Sequence, residues 1–156
     1  MKPLSLDDFG QQCASLRGAW MGLDLGDKTI GVAVTDATRC IASPLKTVKR
    51  TRFKEDMAAL KEIIGAYGVV GIILGLPINM NGTEGPRVQK SRQFADNFLK
   101  MVPMPLTFWD ERLSTRGAFH VLQEAGIRQA GRDAAIDKLA ASFILEGALA
   151  FFRHHM

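Results

Sequence analysis

Cysteine is nearly absent from this chain of 156 residues: only Cys13 and Cys40 occur, and neither has a partner at metal-ligand spacing. A reduced, cytoplasmic compartment is the expectation that follows. No apolar run approaches the ~20 residues of a membrane span, and no signal-peptide pattern opens the chain, so no membrane partner is expected. There is no Gly-x-Gly-x-x-Gly stretch, no internal repeat and no low-complexity tract. The histidines, His120, His154 and His155, show no ligand spacing, and the last two read as a solvated tail. Aromatic side chains suited to stacking on bases are few; Trp20 and Trp109 fall in predicted strands and read as core.

What remains is the composition of an ordinary soluble globular protein, 47% hydrophobic and 23% charged. The length suits one domain that buries roughly 68–70% of its unfolded surface. A net charge of +4 permits a polyanionic partner without requiring one.

Residues 19–35 carry the main signal. Residues 19–25 are almost continuously apolar, as in a strand buried on both faces, and the one interruption is Asp24. A lone carboxylate there is costly unless a cation meets it. Gly26, Asp27 and Lys28 supply turn chemistry, and Ile30, Val32 and Val34 then alternate as in an antiparallel second strand. Residues 39–48 suit a third strand, with Pro44 pointing to a sheet edge. The period then changes to that of a helix over 52–67, ended by Gly65 and Gly68, followed by an apolar strand over 69–74. Gly75-Leu76-Pro77 closes that strand, and an Asn- and Gly-rich loop spans 78–86. A helix over 87–101, a short strand over 105–109, a helix from Ser114 to about Ala125, a basic loop over 127–133 and a helix from about Ala134 to Phe152 complete the order. Residues 1–18 read as an N-terminal extension, a surface or frayed segment in which Ser5 and Asp8 could cap a short helix. Residues 19–156 read as a single α/β domain: a mixed five-stranded sheet, three antiparallel strands then two parallel ones, with helices on both faces.

Three carboxylates stand out by position. Asp24 lies inside the first strand, Asp110 and Glu111 at the end of the fifth, and Asp137 on the apolar face of the last helix with Ala141 and Leu145. Acids from three elements brought together would repel, and one would protonate, unless divalent cations sat among them. Oxygen ligands favour Mg²⁺ or Mn²⁺, and such a site suits attack of water on a phosphodiester. Asp110 and Glu111 are adjacent, so only one would face the site, and Glu111 is the choice made here. Gly22 to Thr29 nearly spells a phosphate-binding loop, but Asp27 replaces its second glycine and the next segment alternates as a strand, so a P-loop NTPase is set aside.

Four ordered motifs resemble a known family: Leu23-Asp24-Leu25-Gly26-x-Lys28-x-Ile30-Gly31-Val32-Ala33, Gly75-Leu76-Pro77-x-Asn79-Met80-x-Gly82-Thr83, Asp110-Glu111-Arg112-Leu113-Ser114-Thr115, and Asp137-x-x-Ala140-Ala141 with Ile144-Leu145. Together they are similar to the YqgF family, the Holliday-junction-resolvase-like proteins of bacteria, over about residues 19–152. The resemblance implies an RNase H-like fold and a divalent-metal nuclease with its acids at Asp24, Glu111 and Asp137. It also implies 5′-end maturation of pre-16S rRNA in ribosome biogenesis, with resolution of DNA junctions as the older alternative.

The expected enzyme is therefore a Mg²⁺- or Mn²⁺-dependent endonuclease acting on structured RNA, either pre-16S rRNA or a pre-ribosomal particle. Asp24, Glu111 and Asp137 would be both catalytic and metal-holding. Lys28, Arg87, Arg112, Arg116 and Arg132 would meet the nucleic-acid backbone, and Asn79, Asn81 and Thr83 form a loop near the site. Structured DNA is a possible second substrate. Rivals are an actin-like ATPase, for which the chain has room for only one of the two usual domains, and a non-catalytic RNA-binding assembly factor. No apolar interface stripe is evident, so a monomer is favoured over a dimer.

Overall fold

The computed structural model describes residues 1–79, 81–113 and 130–155, without the side chains of 130–136. The strands are β1 (Ala19–Leu25), β2 (Thr29–Thr35), β3 (Ala42–Lys49), β4 (Val69–Leu76) and β5 (Leu106–Asp110). The helices are α1 (Leu6–Ala14), α2 (Phe53–Tyr67), α3 (Pro86–Met101) and α4 (Ala130–His155), with a 3-10 turn at Glu111–Leu113. The sheet order is β3-β2-β1-β4-β5. The first three strands pair antiparallel, and β1-β4 and β4-β5 pair parallel, so the expected mixed sheet is the one that forms.

Alternation along the strands divides the core. Met21, Leu23, Val32, Ile72 and Leu74 face one way, against Met57, Leu60 and Ile63 of α2 and Phe94 and Phe98 of α3. Trp20, Ala33, Ile73 and Trp109 face the other way, against Phe9 of α1 and Ala141, Ile144, Leu145 and Ala148 of α4. Asp24 shares the parity of Trp20 and therefore lies on the α4 side.

β3 is an edge strand, as Pro44 led one to expect, and Pro44 sits beside an irregularity in its register with β2. Gly68 ends α2 in the left-handed conformation at φ 62°, whereas Gly65 lies inside the helix. β4 runs through Gly75 and Leu76 before Pro77 stops it, two residues further than the apolar run implied. α4 begins at Ala130, so the end of the expected basic loop is helical. The helix expected from Ser114 to Ala125 lies outside the described residues.

The N-terminal segment departs from the frayed, surface reading. Ser5 caps α1 by accepting from the Asp8 N–H at 3.1 Å, and Phe9 and Cys13 are wholly buried. Leu4 donates to the Leu106 carbonyl at 2.7 Å, which covers part of the outer edge of β5. Arg39 closes the other end of α1: its guanidinium donates to the carbonyls of Cys13 at 2.9 Å and Gly18 at 3.0 Å, and to that of Leu16. It also lies 4.9 Å above the Trp20 ring. The sequence signal was weak because the helix is anchored by contacts distant in sequence, among them Phe9 on Trp20 with ring centroids 5.1 Å apart.

Candidate active site

The site is built on close approach between α4 and the sheet. Asp24 pairs with Gly31 across β1 and β2. A side chain at Gly31 would run into the main chain of Asp137, with its Cβ 3.0 Å from the Lys138 nitrogen and nearer still to the Asp137 carbonyl. On β4, a side chain at Gly75 would meet the end of Ile144 and lie 3.3 Å from the Glu111 side chain. Glycine at these two places lets Asp137 settle onto β2 and Glu111 onto β4, on the sheet face that carries Asp24.

The three acids meet there. The proton affinity of Asp24 is raised well above the ordinary carboxylate range. Burial is the main cause, followed by the charges of Glu111 and Asp137 and a side-chain hydrogen bond with Glu111, while Arg87 pulls the other way. Asp137 accepts a hydrogen bond from the Thr29 hydroxyl on its Oδ2. Asp110, the last residue of β5, turns away: it accepts from Arg112 at its N–H (2.9 Å), Nε (3.0 and 3.1 Å) and Nη2 (2.7 Å). Glu111 opens the 3-10 turn, and that change of backbone separates the directions of the two neighbouring acids.

All three side chains offer oxygen, and a cation would offset the burial and mutual repulsion that raise the proton affinity of Asp24, so the chemistry fits Mg²⁺ or Mn²⁺. Among the described residues no three His, Cys, Asp or Glu side chains already form a cage around one point. In this structure Asp24 is hydrogen-bonded to Glu111, and one Asp137 oxygen is held by Thr29.

The basic residues divide. Arg87 occupies the first turn of α3 close enough to act on Asp24. Lys28 lies in the exposed β1-β2 turn. Arg112, expected to meet the nucleic-acid backbone, is ion-paired with Asp110 at 2.7 Å. It still passes near the loop, 3.6 Å from where a Gly82 side chain would start. Arg116 and the Arg132 side chain lie outside the described residues. Asn79, Asn81 and Thr83 bind one another: Asn79 Nδ2 donates to Thr83 Oγ1 at 3.0 Å, which donates to Asn81 Oδ1 at 2.6 Å. Gly82 turns that loop at φ 85°. Thr29 was missed by sequence reasoning; its strand parity with Gly31 was the available signal, but nothing local shows that α4 passes over both.

The family described as "RuvX: Holliday junction resolvase" matches residues 18–150. The chain belongs to the RuvX family. The resemblance to YqgF proteins is thereby borne out, and α1 precedes the matched region. A relative from Rhodobacter capsulatus is 48% identical over 96% of this chain and 93% of its own, and one from Caulobacter vibrioides is 46% identical over 96% of each. Both are named "Putative pre-16S rRNA nuclease". Among solved structures, Thermus thermophilus RuvC overlaps at a TM-score of 0.54, covering 88% of this chain and 96% of that one at 14% identity. Another, T. thermophilus RuvC in complex with Holliday junction substrate, overlaps at 0.53 with the same coverage and identity. At that identity the likeness speaks for the fold, which is RNase H-like.

Proposed function

We propose that this RuvX-family chain is a divalent-metal-dependent endonuclease that hydrolyses phosphodiester bonds in structured RNA, with the 5′ end of pre-16S rRNA as its target in ribosome biogenesis. The observation that carries this reading is the convergence of acids from three elements, close enough that Glu111 and Asp137 both raise the proton affinity of Asp24. The name shared by the bacterial relatives supports the RNA target.

In this reading Asp24, Glu111 and Asp137 hold Mg²⁺ or Mn²⁺. When bound, the cation supplies Lewis-acid polarisation of the scissile phosphate and a lowered pKa for the attacking water. Asp24, buried beside the other two acids, would hold the cation as a carboxylate. Arg87 and Lys28 contribute positive charge for the backbone, joined by Arg116 and Arg132, while Arg112 offers only the charge that Asp110 leaves. Backbone and shape, with few aromatics for stacking, govern recognition. The chain works in the cytoplasm as a monomer, with residues 19–156 as the nuclease domain.

The family description favours a second substrate, a four-way DNA junction. The deciding experiment incubates an rRNA precursor and a four-way junction with the protein and Mn²⁺ or Mg²⁺, beside the Asp24→Asn variant. RNA cleavage that the variant loses is the expected result. Cleavage of the junction alone would transfer the protein to recombination, and RNA binding without turnover would make it an assembly factor.

A further inference from the structure

We propose that Thr29 is a positioning residue for Asp137: its hydroxyl ties one carboxylate oxygen and leaves the other presented to the cation. The inference rests on the reading of the three acids given above and goes on to say what aims one of them.

Thr29 opens β2 directly after the turn that follows Asp24. The turn is held shut by the Gly26 N–H, which donates to the Thr29 carbonyl at 2.8 Å, and by Arg50, whose Nη1 donates to the Gly26 carbonyl at 2.6 Å. Two residues on, Gly31 points to the same face and bears the main chain of Asp137. The Asp137 side chain reaches back along β2, where Thr29 Oγ1 donates to its Oδ2. A threonine in a strand has few χ1 choices, so the backbone of β2 directs the hydroxyl. The hairpin that carries Asp24 thus also aims a carboxylate 108 residues away in sequence.

The donor's chemistry suits the task. A neutral hydroxyl orients the carboxylate without cancelling its charge, and a carboxylate has lone pairs left for a cation. Asp110, which turns away from the site, shows the contrast: its partner is a guanidinium, which competes for the same lone pairs with a full positive charge.

The test measures Mn²⁺ binding to the full chain by electron paramagnetic resonance of the free ion. It compares the wild type with Thr29→Val, Thr29→Ser and Asp137→Asn, and takes metal-free melting curves of each. Loss of a hydrogen-bond partner behind a metal ligand costs about 10–100-fold in affinity, so Thr29→Val should raise the Mn²⁺ dissociation constant by that factor and Thr29→Ser should restore it. A purely structural hydroxyl would instead lower the melting temperature of Thr29→Val and leave its Mn²⁺ affinity at the wild-type value, which would overturn the proposal. If Thr29→Val does not fold, Thr29→Ala carries the same comparison. A wild type that binds no Mn²⁺, or an Asp137→Asn variant that binds it normally, would defeat the reading of the acids themselves; failure of Thr29 alone leaves those two results intact.

Discussion

Gly31 and Asp137 are in direct contact, the main chain of the helix residue resting where a strand side chain would otherwise stand. Asp24 is the partner of that glycine across the hairpin, so the contact brings the first and the last of the three candidate acids together. A methyl group at Gly31 would meet backbone, which cannot rotate away. At Gly75 it would meet mainly the end of the Ile144 side chain. Overpacking costs about 1–3 kcal/mol, so Gly31→Ala should lower the melting temperature by roughly 2–12 °C. Gly75→Ala should cost less stability but still lower cleavage, because it presses on Glu111. Equal melting temperatures for the two variants would contradict this account.

Asp24 makes the metal-free protein sensitive to pH. Its proton is held more tightly in the folded chain than at the ordinary value of 3.8. The stability linked to that proton is therefore present in full below about pH 3.8 and is lost as pH rises through the elevated folded value. Asp24→Asn removes the loss. In EDTA at pH 7.5 the variant should melt above the wild type, by about 2–4 °C if the relief is about 1 kcal/mol, and the gap should close as pH falls toward 4. Melting curves from pH 4 to 8 check the sign; a gap that widens toward acid would be the wrong one. Adding Mn²⁺ should raise the melting temperature of the wild type and not that of the variant.

Glu111 and Asp110 should separate cleanly in kinetics. Glu111→Gln should reduce cleavage by about 10²-fold or more, because a neutral amide would hold the charge-stabilising cation less well than a carboxylate. Asp110→Asn should reduce it far less. It should also release the Arg112 charge, strengthening RNA binding at low salt and steepening its salt dependence by up to about one phosphate contact. Filter-binding titrations at several salt concentrations, alongside cleavage rates, test both halves. A larger loss of cleavage for Asp110→Asn would exchange the roles of the two acids.

Arg39 should matter to stability and not to chemistry. Its donors satisfy carbonyls at and beyond the end of α1, and hydrogen bonds from a charged group contribute about 1.5–3 kcal/mol each at most. Arg39→Ala should speed amide exchange throughout α1 and lower the melting temperature. Arg39→Lys should rescue little, since an ammonium lacks the planar fork that spans several carbonyls. Cleavage per folded molecule should be unchanged; a selective loss of cleavage would tie α1 to the site.

Much of this molecule was determined by the sequence itself. Alternation in residues 29–35 and the helical period of 52–67 are local patterns, so they specify a strand and a helix wherever the chain runs. Asp24 inside an apolar strand stood out as costly to bury, and Glu111 and Asp137 were the acids the sequence offered to stand beside it. The tertiary structure alone decided which way neighbouring groups turn. Asp110 and Glu111 differ by a single backbone step into a 3-10 turn, and Arg112 takes the first away from the second. α1 joins the core through Phe9 and Arg39, and Thr29 reaches Asp137, because segments distant in sequence pass within a few ångströms. Such contacts depend on how α4 and α1 seat on the sheet, and no periodicity within one segment carries that information.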